Sequence, residues 1–155
     1  MRLNHSTRDF ILQLMRQVPD MTLATVRPDG YPHATTVSYA SDNLTLYVGV
    51  GLGSQKACNI QLNNKVSLTI TRPYADWQHI QGLSMGATAR IIAEREEAEH
   101  ASDCLLRRFP QIREMMAGTD AMPWAGAVFL RIEPSIVSVL DYQKGFGHTE
   151  LYEID

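Results

Sequence analysis

Hydrophobic positions divide the chain into elements of two periods. In STRDFILQLMRQ (6–17), Phe10, Ile11, Leu14 and Met15 share one helical face, with Ser6 or Thr7 as N-cap and Pro19 ending the run. MTLATVR (21–27) and PHATTVSYA (32–40) flank the turn signal Pro28-Asp29-Gly30 and read as a β-hairpin over 21–40. SDN (41–43) turns the chain into LTLYVGV, where Leu44, Leu46, Val48 and Val50 lie on one strand face. SQKACNIQLNN (54–64) reads as a short helix. KVSLTIT (65–71) alternates Val66, Leu68 and Ile70 against Ser67, Thr69 and Thr71. IQGLSMGATARII is a long strand whose Gly82 and Gly86 suggest a bulge or a close backbone approach. EREEAEHASDCLLRRF is an amphipathic helix, acidic first and basic last, stopped by Pro110. QIREMMAGTDAMPW is less regular. AVFLRIE and SIVSVL read as two strands flanking Pro134, and the tail DYQKGFGHTELYEID has no clear period. Strands joined by such short connections pair antiparallel. The pattern therefore predicts a mainly β chain, an antiparallel barrel with peripheral helices, in one domain over 1–155.

Composition narrows the function. The chain has 155 residues, 45% hydrophobic and 20% charged, with a net charge of −3. That is long enough to bury a sizeable core. With no basic surplus, nucleic acid is not the expected principal partner, because duplex affinity comes from neutralising phosphates. The first residues lack the uncharged run of a signal peptide, and no window approaches the roughly 20 apolar residues of a membrane span. Cys58 and Cys104 fall in separate helical segments without metal-ligand spacing. A reduced, cytoplasmic protein is the expectation.

The most informative stretch is TLYVGVGLGSQKACNI. Gly49, Gly51 and Gly53 stand between a strand and a helix, and Ser54, Gln55 and Lys56 follow at once. The spacing is neither a dinucleotide fingerprint nor a P-loop. Two readings stay open: a mobile turn, or a cradle in which helix-start amides, the Ser54 hydroxyl and the Lys56 ammonium hold an anion. The dipole contributes about 0.3–1 kcal/mol, up to ~2 when partly buried. Charge-assisted hydrogen bonds add roughly 1.5–3 kcal/mol each. Micromolar affinity needs about 8 kcal/mol beyond the cost of association. A ligand held here therefore also needs a flat or apolar part against the sheet.

In order, the D-G-x-P hairpin turn, the strand ending in a Ser-x-Lys helix start, the "NN" before the next strand, QGLSMGATARII and VFLRIEP resemble the pyridoxamine 5′-phosphate oxidase-like family, the FMN-binding split barrels. The likeness covers nearly the whole chain. It implies a six-stranded antiparallel split barrel that forms a homodimer, with FMN in a groove between subunits. Carried onto this sequence, Ser54 and Lys56 would hold the FMN phosphate, and Gln55 stands where many relatives have arginine. Thr35, Thr36, Val37 and Ser38 would run along the flavin, Val50 would border the cofactor, and Gln81 would contact it. Gln81 shares a face with Leu83 and Met85, so its amide is expected to meet a ligand or face water. The likeness also implies an oxidoreductase exchanging hydride between flavin N5 and an unidentified small substrate.

Two departures argue against true pyridoxamine-phosphate oxidation. Ala40 stands where the vitamin B6 oxidases have a basic residue, and the closing segment keeps only Lys144 and His148 in place of substrate-clamping arginines. His148 could move a proton near the flavin, or be an exposed tail histidine. The alternatives on the same fold are a non-enzymatic flavin or haem carrier or stress sensor, and deazaflavin or haem in place of FMN. The five histidines lack metal-site spacing, so no metal is expected. His33 could approach a ligand or sit exposed at the turn edge. Met115, Met116, Met122 and Trp124 could form a soft lid or adaptable packing.

Overall fold

The computed structural model describes residues 1–116 and 125–155. Its elements are α1 (His5–Gln17), β1 (Asp20–Val26), β2 (Pro32–Ser38), β3 (Ala40–Asp42), β4 (Thr45–Gly51) and α2 (Gln55–Leu62). They continue with β5 (Lys65–Thr71), β6 (Gln81–Ile91), α3 (Arg95–Arg108), α4 (Gln111–Met116), β7 (Ala127–Asp141) and β8 (Thr149–Glu153). Short 3-10 turns at Trp77–His79 and Tyr142–Lys144 complete the set. All strand pairings are antiparallel, in the order β2-β1-β5-β6-β7-β4-β3, with β8 on the second half of β7. The sheet curls so that alternate residues of β1, β4, β5, β6 and β7 meet in one core, and α1 buries Ile11, Leu14 and Met15 against it. A second, smaller core lies on the other face, where Ala40, Tyr47 and Phe129 pack against Ala101 and Leu105 of α3.

The barrel class expected from the pattern holds, with two strands more than the resemblance implied. Asn4, not Ser6 or Thr7, caps α1: its Oδ1 accepts from Thr7 N at 2.8 Å. The expected second hairpin strand ends at Ser38, and Ala40–Asp42 pairs separately with β4. Asn43 and Leu44 make the tight turn there, Asn43 with φ 52°, a conformation asparagine tolerates well. The tail without a period contains β8, paired with β7 from Leu140↔Thr149 to Ile136↔Glu153.

The largest revision concerns Pro134. It does not separate two strands; β7 runs through it as one strand of 15 residues. Opposite Gly86 and Ala87 the register shifts, so Ser135 is an extra residue in β7. Pro134 falls at this bulge, between the stretch paired with β4 and the stretch paired with β8, where a missing amide costs least. Gly86 supplies the room: a Cβ there would lie 2.8 Å from Ile136 Cγ2.

Tyr39 and Arg108 tie α1 to the rest. The fully buried Tyr39 hydroxyl lies 2.9 Å from Met15 O and 2.5 Å from Val18 O. Arg108 donates to Met15 O and Val18 O at 2.8 and 3.0 Å, with its guanidinium 4.7 Å from the Tyr39 ring centroid. Together they satisfy carbonyls that the helix end leaves free. Burial pushes the Tyr39 phenol up to about 12, with the Arg108 charge opposing. The unfolded chain loses this proton near its ordinary value of 10, before the native state does. The stabilisation is therefore complete below pH 10 and is lost as the pH rises toward 12. Between pH 9 and pH 11.5, urea unfolding should show a loss of roughly 2 kcal/mol from this group, and Tyr39→Phe should lack that part of the loss.

Candidate functional site

The glycine-rich junction forms a turn anchored to β7. Leu52 N donates to Gly126 O at 2.8 Å, Ser54 N to Gly51 O at 3.0 Å, and Gly53 takes φ 78°, a left-handed conformation open to glycine. Ser54 is the N-cap of α2, its Oγ accepting from Ala57 N at 3.3 Å. The hydroxyl proton remains available to donate. No acceptor among the described residues takes the amides of Gln55 or Lys56, and the half-buried Lys56 ammonium makes no ion pair among them. Two amides, a hydroxyl and an ammonium thus surround one helix start, a donor set suited to an anion.

A buried polar chain fixes α2 to the hairpin. Gln55 Nε2 donates to Asn59 Oδ1 at 2.7 Å, and Asn59 Nδ2 donates to Thr25 Oγ1 at 2.9 Å. Asn59 is fully buried and Thr25 1% exposed. Gln55 therefore turns its side chain back along the helix rather than outward. Thr25 pairs with His33 across β1 and β2, so the start of β2 lies beside α2.

Alternation divides the four hairpin residues expected at the ligand. Thr35 and Val37 share the inner face with Leu23 and Met21, their partners on β1, whereas Thr36 and Ser38 point to the outer face. The Ser38 hydroxyl donates to Asp20 Oδ1 at 2.8 Å. Side chains from both faces cannot reach one flat ligand. The shared resource is the main chain, because among the described residues β2 pairs only with β1 and its other edge is open. On the inner face, Thr35 Oγ1 and His33 Nδ1 are buried without a hydrogen-bond partner. His33 is thus half-buried, not displayed at the turn edge. Its parity with Thr35 was the signal in the sequence.

Val50 is a core residue, 5% exposed, so only its place at the end of β4 brings it near α2. Gln81 does not face water, and each end of its amide has a partner. It is 6% exposed, with Oε1 accepting from Arg72 and Nε2 donating to Asp141 Oδ1 at 3.2 Å. Arg72 also donates to Gln17. Sequence reading missed this network because its members lie in α1, β6, β7 and the loop after β5, far apart along the chain.

His148 is not an exposed tail residue either. With Lys144, Asp141 and Glu150 it lines a cavity of about 240 Å³ against Ser6, Thr7 and Phe10 of α1. Its Nε2 lies 3.3 Å from Glu150 Oε1. The Tyr152 hydroxyl, which donates to Glu150 Oε2 at 2.7 Å, holds the Glu150 carboxyl below its ordinary range. Among the described residues, no group of three His, Cys, Asp or Glu could hold a metal. No helix among them is long and apolar enough to cross a membrane. Met122 and Trp124, and the side chains of Met115 and Met116, lie outside the described residues.

Comparison with known proteins agrees with this architecture. The family model "Pyridoxamine 5′-phosphate oxidase" matches residues 7–135, and the chain belongs to that family. A proposed pyridoxamine 5′-phosphate oxidase from Listeria innocua superposes with TM-score 0.69 at 22% identity, covering 86% of this chain and 98% of that one. A conserved hypothetical protein from Mycobacterium tuberculosis gives 0.74 at 23% identity, with 96% and 91% covered. The haem storage protein HutZ from Vibrio cholerae gives 0.66 at 18%, with 86% and 91% covered. At these identities the likeness is one of fold. No curated protein matches the chain.

Asn59 is the joint on which the site's shape depends. Asn59→Ala should leave Thr25 Oγ1 and the Gln55 amide without their buried partner and cost about 1–3 kcal/mol in urea unfolding.

Proposed function

We propose that the protein is a homodimeric FMN-binding flavoprotein and an oxidoreductase acting on a small substrate other than pyridoxamine phosphate. One observation carries the reading: the orphaned Thr35 Oγ1 and His33 Nδ1 sit on the inner face of β2, beside a helix start whose donors are unused. Buried polar groups are rarely left without partners, so an unfilled pair next to an open anion site points to a ligand. Membership in the family supports the choice of a phosphorylated cofactor.

The residues present fit FMN. In this reading Ser54, Lys56 and the α2 amides hold the phosphate, with Gln55 supplying only its main chain. Thr35, Val37 and the open edge of β2 flank the ring, Thr36 and Ser38 contribute main chain alone, and Val50 closes the floor. Gln81 contacts the ring from the far end of the hairpin. Bound FMN would supply hydride transfer at flavin N5; the protein orients the ring and excludes water. A second subunit is expected to cover the open edge of β2, since a free edge leaves amides and carbonyls unpaired. A cytoplasmic setting suits the two free thiols, Cys58 and Cys104.

The visible spectrum of the purified protein is the first test. Flavin bands support the proposal; a Soret band would assign haem, and a colourless protein that does not quench FMN fluorescence on titration would end it. Lys56→Ala should raise the FMN dissociation constant roughly 10- to 100-fold, the range for a lost charge-assisted hydrogen bond. An unchanged constant would remove Lys56 from the site.

A further inference from the structure

Gln81 is held between two charges of opposite sign. Its Oε1 accepts from the Arg72 guanidinium and its Nε2 donates to the Asp141 carboxylate. A guanidinium only donates and an ionised carboxylate only accepts, so the amide cannot turn over. Turned, it would set NH2 against the guanidinium and its carbonyl against the carboxylate. The clamp is itself fixed. Asp141 is the β-ladder partner of Gln81, and its Oδ1 also accepts from Gln143 N at 3.2 Å. Arg72 N donates to Gln81 O at 3.0 Å, and the Arg72 side chain reaches Gln17 of α1.

Two consequences follow from the chemistry of the groups. The Nε2 amide carries two protons, and Asp141 is the one acceptor that the described residues give it. Gln81 therefore keeps one N–H to offer a ligand, in a direction that Arg72 and Asp141 set. Second, the Arg72 guanidinium makes no ion pair among the described residues; its side-chain partners are the two neutral amides of Gln81 and Gln17. Its positive charge meets the amide at Oε1 while the Asp141 carboxylate meets it at Nε2, so the pair aligns the amide dipole and fixes its direction.

We propose that Arg72 is a positioning residue for the cofactor: with Asp141 it locks Gln81 so that the remaining amide proton is given to an acceptor on the flavin ring. The inference rests on the FMN reading and adds to it which kind of ring atom Gln81 meets and what sets its orientation. A hydrogen-bond donor held in place favours the electron-rich, reduced ring over the oxidised one.

The test uses full-length protein loaded with FMN, as wild type, Arg72→Met, Gln81→Leu and the double variant. For each, the FMN dissociation constant, the reduction potential of bound FMN and the infrared stretching band of the flavin carbonyls are measured. Arg72→Met should weaken FMN about tenfold, make the potential more negative and move a carbonyl band to higher frequency. Gln81→Leu should do the same, and the double variant should go no further than the stronger single one, since Arg72 acts through Gln81. A potential and carbonyl band unchanged in Arg72→Met would overturn the inference, as would effects that add in full. Arg72→Gln, neutral and of similar reach toward Gln17, should move both readings in the same direction and stands in if Arg72→Met does not fold. Wild-type protein that binds no FMN would sink the flavin reading and this inference together. FMN binding with unmoved spectra in the Arg72 variants would sink this inference alone.

Discussion

The constraint on which the rest depends is the continuity of β7. One strand of 15 residues pairs with β6 along its length, with β4 over its first half and with β8 over its second. Its two ends hold the two ends of the candidate site. At the start, Gly126 and Ala127 anchor the turn before α2 through Leu52 N and the pairing with Gly51. At the finish, Asp141 meets Gln81. Were Pro134 to break the strand, only β6 would join these regions and their relation would be looser. The bulge at Ser135 and the missing side chain of Gly86 let the strand bend without parting.

Much of the architecture was legible because alternation and helical period are local signals. KVSLTIT shows its buried and exposed faces residue by residue in the structure, and the stop at Pro110 and the helix start next to Ser54 stand where the sequence put them. What stayed hidden was set by partners far along the chain. β8 alternates only weakly, and its pairing with β7 decides it. β3 has three residues, too few for any period, and exists because β4 lies beside it. Pro134 misleads for the same reason: locally it ends a strand, but the ladder on either side carries the strand through.

At the candidate site, residue types were easier to find than orientations. Ser54 and Lys56 flank the helix start as the spacing suggested, because cap chemistry depends on neighbours in sequence. The hairpin residues sort by parity into an inner pair and an outer pair, which brings His33 inward and turns Thr36 and Ser38 away. Gln81 looked, on its strand, like a polar group in need of a ligand or water. Arg72 and Asp141 answer that need from β5's exit and β7's end, so the amide is both satisfied and directed.

The grip of Arg108 on the end of α1 bears on how the chain matures as it is made. The carbonyls of Met15 and Val18 emerge about 90 residues ahead of the guanidinium that satisfies them. A helix of 13 residues is marginal alone in water, so α1 remains a fluctuating element while most of the sheet is still being synthesised. It becomes permanent only when α3 has folded back over Tyr39, so a helix translated ahead of the sheet is one of the last elements to settle.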